Sequence, residues 1–535
     1  MAGGRFGPRL LLATILVMAA AVRLWGIRFG LPYAYARPDE TAVAGAAVNF
    51  LSGDLRPTIF SWPTLFMYVV ALLYIATFVI GRPFTGYETL AAFAESRRQS
   101  VAPFFYPARA LSALMGVLSV WWVYAIGRRV FDETVGLVAA FFLALAFLHV
   151  RDSHFGVTDV TMTGLIVLAV LTILRWRETG GLGRVAIAGF AAGLAASTKY
   201  NGFGVFVPFG VALVQRFVDE RDRPNRLAGA CQSLAVFAAI VASVFFSTSP
   251  YIIIDWARFV SDVTALGDTF SVGHGIVLSR GWLWYARVTL PAAMGWPIFA
   301  AGVVGTVILL ASRFRETAVL FAFPVAYYIV AGRGYTVFAR YILPEVPFLC
   351  IGAAWLVVTA VRAVVGASWP SLRVAALGTA AIVMVAPTAR KTIMSDELLT
   401  VPDNRVVVAQ ALMSLVPPDS LVYHSGGAYG HVPFALEGRE LPLRECAFDE
   451  ATGRFDAGQP DWIIVQRSPL VLYSDVPPAL ERVIADGYRL VHTFPVESGP
   501  PTRRLYDQQD AYFMPLEGFD GLKRPGPRFD LYQKR

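Results

Sequence analysis

The sequence predicts a polytopic α-helical membrane protein with a small soluble α/β domain at its C-terminal end. Of its 535 residues, 56% are hydrophobic and only 16% are charged, whereas soluble domains carry about 25% charged residues. Apolar runs long enough to cross a hydrocarbon core of roughly 30 Å recur along the chain. Hydropathy then falls after about Ala389, where Pro, Asp and Arg become frequent. For most of the length this pattern excludes a soluble enzyme, a disordered chain, collagen and a coiled coil.

About eleven apolar runs are predicted to be transmembrane helices. The first, Leu10 to Trp25, follows Arg5 and Arg9 and lacks a small-residue cleavage site. It is therefore expected to be an uncleaved anchor with a cytoplasmic N-terminus. The further spans start near Ala108, Val135, Val160, Val185, Gly202, Leu227, Ala286, Ala318, Val337 and Val374.

The run from Trp62 to Ile80 decides the topology. If it does not span, basic clusters such as Arg128-Arg129 and Arg313 with Arg315 fall on the cytoplasmic side, and if it spans they fall outside. The positive-inside rule therefore favours an interfacial or re-entrant helix within a first external loop of residues 28–107. The net charge of 46 − 38 = +8 is explained by such cytoplasmic loops. It gives little support to nucleic-acid binding, since no basic stretch is interleaved with aromatic residues.

This topology places several polar segments together on the outer side of the membrane. It divides the chain into a transmembrane domain, residues 1–388, and an extracytoplasmic α/β domain, residues 389–535. Within the latter, hydrophobic periodicity predicts helices at Asn404 to Leu415 and Leu480 to Asp486, with short buried strands at Ser420 to Tyr423 and Asp461 to Val465. The outer segments are Arg37 to Glu40, Arg151 to Asp159, Lys199 to Asn201, Ser249 to Tyr285 and Gly332 to Tyr341.

The adjacent acids Asp39 and Glu40 open the helical stretch from Thr41 to Leu51. In one interpretation Pro38 is the first helical residue and the two acids complement the positive end of the helix. In the other they line a polar cavity, because carboxylates facing lipid just outside a span are costly. A cavity of this kind would receive a substrate.

A second polar cluster contains Asp152, His154 and Asp159, between one span and the next. The structural interpretation is a solvated loop in which Asp159 caps the following helix. Asp159 lies where the apolar run resumes, however, which favours an inward-pointing side chain. The spacing matches no specific metal-ligand pattern, so we predict no structural zinc here.

Two basic residues interrupt apolar sequence near predicted outer ends of spans. Lys199 either extends to the outer headgroups or supplies a point charge to an anionic ligand. Arg340, followed by Tyr341, is either an interfacial anchor or a second such charge.

Taken in order, these motifs resemble the C-type glycosyltransferases of family 39, relatives of the protein O-mannosyltransferases and the lipid A aminoarabinose transferase. The resemblance runs from the N-terminus to roughly Leu356, with Asn404-Arg405 through Pro417-Pro418 like the start of the family's external tail. In the first loop, Trp62-Pro63-Thr64 replaces the usual Pro-Pro pair, and the tail does not resemble the β-trefoil of eukaryotic relatives. The motifs are Pro38-Asp39-Glu40, His154 to Asp159, Thr198 to Gly202, Ser249-Pro250-Tyr251 with Asp255 and Phe259, Gly295-Trp296-Pro297 and Arg340 to Pro344.

The resemblance implies transfer of a sugar from a polyprenyl-phosphate donor to an acceptor hydroxyl, with inversion, on the non-cytoplasmic face. It implies Asp39 as general base with Glu40 in support, and Lys199 and Arg340 with Tyr341 at the donor phosphate. Asp159 is expected to bind sugar hydroxyls or orient a cation, with Asp152 and His154 beside it. The resemblance predicts no particular metal ligand, and a divalent ion stays open because members of the group differ in using one.

The implied partners are the membrane, the lipid-linked donor and an acceptor lipid, glycan or protein. The Ala, Arg and Gly bias points to a bacterial inner membrane with a periplasmic active face. Two rival functions follow from other classes. A transporter or lipid flippase is disfavoured because no internal repeat and no paired midplane breaks are visible. A non-catalytic scaffold presenting the tail would tolerate any residue at position 39.

Overall fold

The computed structural model describes residues 6–98, 100–436, 438–474, 476–499 and 503–535. The chain forms two compact units. The first comprises Met1–Leu24, Ala46–Thr77 and Pro107–Ile393, and the second comprises Trp25–Gly45, Phe78–Tyr106 and Met394–Arg535. The second unit thus contains two stretches of the predicted first external loop as well as the tail.

The helices of the described chain lie in both units. Shorter 3₁₀ turns cover Ala34–Ala36, Ser96–Arg98, Tyr200–Val205 and Ala339–Glu345, and a π-helical turn covers Tyr285–Thr289. The α-helices are α1 (Phe6–Leu24), α2 (Pro38–Phe50), α3 (Leu65–Thr85), α4 (Leu90–Glu95), α5 (Ala102–Val130), α6 (Glu133–Leu145), α7 (Phe147–Ser153), α8 (Thr158–Thr179), α9 (Leu182–Thr198), α10 (Phe206–Asp219), α11 (Arg226–Thr248), α12 (Tyr251–Ile254), α13 (Trp256–Val272), α14 (Gly281–Trp284), α15 (Leu290–Met294), α16 (Trp296–Ser312), α17 (Phe314–Ala331), α18 (Val346–Val364), α19 (Pro370–Leu399), α20 (Asn404–Leu415), α21 (Val471–Ser474) and α22 (Pro478–Gly487).

Within the described residues, nine helical segments are long and apolar enough to cross a membrane, and eleven if two bent helix pairs each count as one span. The predicted fold class is confirmed: the chain is a polytopic α-helical membrane protein. Helix α9 corresponds to the span predicted near Val185, but its 17 residues make it slightly too short to be counted among these segments. The segment Leu65–Phe84 meets the criteria by length and composition, so its interfacial placement stays a prediction.

Two of the predicted spans are broken rather than straight. The pair α6–α7 bends by 59°, and the pair formed by Gly281–Met294 and α16 bends by 119°. The second bend falls at Gly295, whose φ of 76° lies in the left-handed region that favours glycine. The Gly-Trp-Pro motif singled out in the sequence therefore marks a sharp reversal of direction.

The break between α6 and α7 is stabilised by hydroxyl groups of α19. Ala146 is extended there and cannot continue the helical hydrogen bonds. The amide of Phe147 donates instead to Oγ1 of Thr388 at 3.0 Å, and Oγ1 of Thr392 donates to the carbonyl of Leu145 at 3.1 Å. Side chains from a distant helix thus satisfy backbone groups that the break would leave unpaired in the interior.

Replacing Thr388 with Val is expected to lower the free energy of unfolding by about 1–3 kcal/mol, because the buried Phe147 amide would lose its acceptor. Denaturant unfolding in detergent micelles would measure the change. Thr77→Val is the matched control, since the exposed hydroxyl of Thr77 donates within its own helix, to the Leu73 carbonyl. Equal stability of the two variants would contradict this account of the break.

The second unit contains a five-stranded sheet in the order β4-β1-β7-β9-β8. Strands β4, β1 and β7 run parallel, whereas β9 pairs antiparallel with β7 and β8. Ile463 and Val465 of the sheet pack against Leu480 and Ile484 of α22. The strands are β1 (Leu421–His424), β2 (Ala435–Leu436), β3 (Arg439–Glu440), β4 (Arg444–Glu445), β5 (Phe448–Asp449), β6 (Arg454–Phe455), β7 (Trp462–Arg467), β8 (Tyr488–Phe494) and β9 (Arg528–Lys534).

The local predictions for the tail are confirmed. The predicted helix from Asn404 to Leu415 is α20 with the same bounds, and the predicted helix near Leu480 is α22. The two predicted strands correspond to β1 and β7, each within one or two residues of its predicted limits. The predicted α/β class of this domain therefore holds.

Candidate functional site

A buried ion pair in the first unit joins two of the predicted site residues. Lys199 directly follows α9, and its Nζ lies 2.6 Å from Oδ1 of Asp159 in the first turn of α8. Lys199 is 9% exposed and Asp159 is 3% exposed. The lysine therefore does not extend to solvent, and the Asp159 carboxylate accepts from a cation. An ammonium has three donors, so the pairing leaves capacity for a ligand.

Local backbone geometry holds Lys199 in place. The residue is extended (φ −156°, ψ 139°), and its carbonyl accepts a hydrogen bond from the Gly202 amide at 2.8 Å. A Cβ at Gly202 would lie only 2.4 Å from the carbonyl oxygen of Ala195. Only glycine allows the Tyr200–Val205 turn to pack this closely on α9, which explains the Lys-Tyr-Asn-Gly order seen in the sequence.

Aromatic residues complete the surroundings of the lysine. Nζ of Lys199 lies 5.0 Å from the ring centroid of Tyr341, a cation–π distance. The hydroxyl of Tyr327 donates to the Tyr341 carbonyl at 2.6 Å and accepts from Nδ2 of Asn201 at 3.1 Å. Sequence analysis missed Tyr327, because a tyrosine in an apolar run gives no signal of its own.

Arg340 lies next to this group. Its guanidinium carbon is 4.0 Å from the ring centroid of Phe338 and 5.6 Å from that of Tyr341. The side chain is partly exposed. Lys199 and Arg340 of the first unit thus both lie near the Tyr341 ring, and their role in binding an anion stays a prediction. Two cations and a phenol are suited to a phosphate.

The 3₁₀ turn Ala339–Glu345, which carries Arg340 and Tyr341, also contains a buried acid that the sequence analysis did not single out. Glu345 is 4% exposed, and its Oε1 has no hydrogen-bond partner among the described residues. The residue follows Tyr341 by four positions. Its position after Pro344 in an apolar run could have marked it as a candidate in the sequence, because acids are rare in such runs.

Asp152 and His154 are engaged with neighbours on α7 or at its end. Nε of Arg151 donates to Oδ1 of Asp152 at 2.7 Å, and both side chains are buried. Nδ1 of His154 lies 3.0 Å from the Val150 carbonyl. Asp152 therefore has a neighbouring cation, in the same way that Asp159 does.

The predicted first external loop packs against the predicted outer segment from Ser249 to Tyr285. The amide of Phe60 donates to Oδ2 of Asp262 at 2.9 Å, and the hydroxyl of Tyr200 donates to the Phe60 carbonyl at 2.9 Å. The amide of Thr64, in the departure from the family's Pro-Pro pair, donates to Oγ of Ser249 at 3.1 Å. Within the first unit, the segments predicted to lie on one side of the membrane are adjacent.

The acidic pair lies in the second unit, at the start of α2. Helix α2 begins at Pro38 with Asp39 and Glu40 in its first turn, as the helix-end interpretation expects. Glu40 is buried, whereas the Asp39 side chain is 26% exposed. The buried guanidinium of Arg37 lies 3.5 Å from Oδ2 of Asp39 and 2.6 Å from Oδ1 of Asp510. The Asp39 carboxylate is therefore partly accessible and lies beside a buried cation.

Tyr33, four residues before Arg37, is also held within the second unit. Its hydroxyl donates to the carbonyl of Tyr429 at 3.2 Å. The guanidinium of Arg405 lies 4.4 Å from the Tyr33 ring centroid. Burial raises the pKa of Tyr33 to about 12, although the Arg405 charge partly opposes this. The phenol is therefore protonated at neutral pH and remains a donor.

Among the described residues, no three His, Cys, Asp or Glu side chains converge in a way that could hold a metal ion. Asp39, Asp152 and Asp159 each lie beside a basic side chain instead. Protein cations thus occupy the positions next to these carboxylates.

Comparison with known proteins identifies a family and a fold that this chain is similar to. Residues 105–254 match the family described as dolichyl-phosphate-mannose-protein mannosyltransferase. The matched segment contains Asp152, Asp159 and Lys199. No curated protein sequence matches the chain.

Solved structures match over nearly the whole length. ArnT from Cupriavidus metallidurans in the apo state aligns with 98% of this chain and 97% of its own, at 15% identity and a TM-score of 0.53. The chain has the C-type glycosyltransferase fold. The same enzyme bound to undecaprenyl phosphate gives a TM-score of 0.52 at 16% identity, again over 98% and 97% of the two chains. The resemblance seen in the sequence motifs is therefore confirmed.

A second C-type protein matches over a smaller share of its length. It is the archaeal oligosaccharyltransferase AglB from Archaeoglobus fulgidus, in complex with an inhibitory peptide and a dolichol-phosphate. The TM-score is 0.51 at 15% identity, covering 83% of this chain and 65% of AglB. The chain thus spans less than two thirds of that relative's length.

Proposed function

We propose that the protein is an integral membrane glycosyltransferase that transfers a sugar from a polyprenyl-phosphate donor to a hydroxyl of a lipid, glycan or protein acceptor. The observation that carries the proposal is the buried Lys199–Asp159 pair, 2.6 Å apart, with the Tyr341 ring and Arg340 beside it. Relatives of the same fold hold undecaprenyl phosphate and dolichol-phosphate. This cationic group has the charge and donors that a lipid phosphate needs.

In the proposed reaction the bond between the anomeric carbon and the phosphate oxygen breaks as the acceptor oxygen forms a bond to that carbon. Lys199 and Arg340 bind the phosphate and stabilise the charge that develops on the departing oxygen, and Tyr341 limits the movement of Lys199. A lipid phosphate is already a good leaving group, so the reaction needs no strong general acid. Asp159 holds the ammonium in position, and Asp152 and His154 contribute to the sugar site.

Asp39 takes the proton of the acceptor hydroxyl as an oxocarbenium-like transition state develops. Its exposure admits an acceptor, and Glu40 supports the start of α2. Attack from the face opposite the departing phosphate inverts the anomeric centre. The active face and residues 389–535 are proposed to lie outside the cytoplasm, in the periplasm of a bacterial cell. The same topology assigns residues 1–388 to the membrane domain.

Sugar release from a panel of radiolabelled polyprenyl-phosphate sugars tests the proposal. The purified protein would be reconstituted in lipid with mixed lipid and glycan acceptors, beside an Asp39→Asn preparation. Release of one sugar by the wild type, absent from the variant, is expected. If the protein neither binds nor releases any sugar of the panel, a transporter or a scaffold would be favoured instead.

A further inference from the structure

The residues preceding Asp39 are anchored to the C-terminal tail at regular intervals. Phe29, Tyr33 and Arg37 follow one another at four-residue spacing, and all three are buried. The Phe29 ring meets the Tyr512 ring edge to face, with centroids 6.5 Å apart. The Tyr33 hydroxyl donates to the Tyr429 carbonyl. All these residues belong to the second unit, so the tail provides the surface on which this segment is ordered.

The third anchor is an ion pair that reaches the proposed base. One terminal nitrogen of Arg37, Nη1, donates to Oδ1 of Asp510 at 2.6 Å, while the other, Nη2, lies 3.5 Å from Oδ2 of Asp39. Both Arg37 and Asp510 are buried. A guanidinium has donors in a fixed planar arrangement, so fixing one nitrogen also fixes the direction of the other.

Asp510 is itself held by the local chain. Its amide donates to the Asp507 carbonyl at 3.1 Å, and the adjacent Gln509 carbonyl accepts from the Tyr473 hydroxyl at 2.8 Å. Two residues later, the Tyr512 ring centroid lies 5.9 Å from the guanidinium carbon of Arg37. The acid that binds Arg37 is thus part of an ordered turn of the tail.

The two distances indicate how the charge of Arg37 is shared. A buried guanidinium needs a close counterion, because an unpaired buried charge is costly. Of these two acids, Asp510 lies nearer to Arg37, at 2.6 Å. The contact with Asp39, at 3.5 Å, orients the Asp39 carboxylate without forming a short ion pair with it. If Asp510 lost its charge, the attraction between Arg37 and the Asp39 carboxylate would strengthen, and that carboxylate would be drawn away from an acceptor.

We propose that Asp510 is a positioning residue for the transfer reaction, acting through Arg37 to hold the Asp39 carboxylate in the orientation that receives the acceptor proton. This inference rests on the proposed role of Asp39 as base. It gives the soluble tail a part in the reaction, because the tail orders the segment that carries the base. Misplacement of a catalytic group by about 1 Å can lower a rate by about a hundredfold.

The test compares steady-state kinetics of the full-length protein in lipid for wild type, Asp510→Asn and Asp510→Glu. Asp510→Asn is expected to lower kcat by about ten- to a hundredfold, with the donor KM unchanged, and Asp510→Glu is expected to recover part of the loss. Asp530→Asn is the matched control, because Asp530 is a buried acid of the same unit paired with Arg467 and Arg528. The kcat of Asp530→Asn should stay close to that of the wild type.

A double-mutant cycle separates positioning from a general loss of structure. In the Asp39→Asn background, adding Asp510→Asn should not change the residual rate, because the carboxylate that Asp510 positions through Arg37 has been removed. If Asp510→Asn does not fold, Arg37→Lys keeps the charge but loses the planar arrangement, and is expected to lower kcat with the donor KM unchanged.

The outcomes distinguish this inference from the proposed function. Undiminished transfer by Asp39→Asn would remove the base itself and the inference with it. The positioning role would be overturned if Asp39→Asn loses transfer but Asp510→Asn keeps the wild-type kcat. Arg37→Lys replaces Asp510→Asn in this comparison where that variant is used. The proposed function would then still stand. A further drop in rate when Asp510→Asn is added to Asp39→Asn would likewise overturn the positioning role.

Discussion

Asp39→Asn is expected to lower kcat by about 10²- to 10⁴-fold, the usual contribution of a general base. The amide keeps the size and much of the hydrogen bonding of the carboxylate but cannot take a proton. Donor KM should stay within about twofold, since the proposed phosphate ligands are other residues. Initial rates of sugar transfer at saturating donor would measure the effect.

The control for this variant is Glu88→Gln, which removes an exposed acid from the same predicted external loop. It should transfer sugar at the wild-type rate. Thermal unfolding of each preparation would show whether the variant is folded. Full activity in a well-folded Asp39→Asn protein would exclude Asp39 as base.

Lys199→Met is expected to weaken donor binding by about ten- to a hundredfold, which corresponds to loss of a charge-assisted contact worth roughly 1.5–3 kcal/mol. The same change leaves Asp159 buried without the cation that lies 2.6 Å away. Removing one partner of a buried pair costs about 3–5 kcal/mol of stability. Titration of undecaprenyl phosphate into the protein in detergent would measure the affinity.

The double variant Lys199→Met with Asp159→Asn separates these two effects. Removing both charges should restore much of the stability, because no uncompensated charge remains buried, while donor binding should stay weak. Arg129→Met is a second control, since Arg129 pairs with the exposed Glu178 outside the predicted donor site. Recovery of donor affinity in the double variant would show that Lys199 does not bind the phosphate.

Candidate residues were identifiable in the sequence because charges are rare in its apolar part. Lys199 and Asp159 stand out there as costly exceptions. Their pairing was not identifiable, since they lie 40 positions apart and each had a bland alternative. Tyr327 and Asn201, which fix the Tyr341 backbone, are ordinary residues whose roles depend on which helices are neighbours.

The same distinction applies to the acidic pair. The helix start at Pro38 follows from local chemistry and was expected. The contact of Arg37 with Asp510 joins residues 473 positions apart, and no local pattern predicts which acid of a long tail will meet a given arginine. The sequence also indicated a span that starts near Val135. The break at Ala146 depends on Thr388, which accepts a hydrogen bond from the Phe147 amide, 241 positions away.

The membrane class, most of the spans and the helices and strands of the tail could therefore be predicted from the amino-acid sequence. Hydropathy, periodicity and turn chemistry act over a few residues, so they can be read without knowing the fold. The pairing of charges, the positions at which spans bend and the part of the tail that holds the segment before Asp39 became known only from the folded chain. Those outcomes depend on packing between distant segments, and a buried charge or amide takes its partner from whatever the fold places within hydrogen-bond distance.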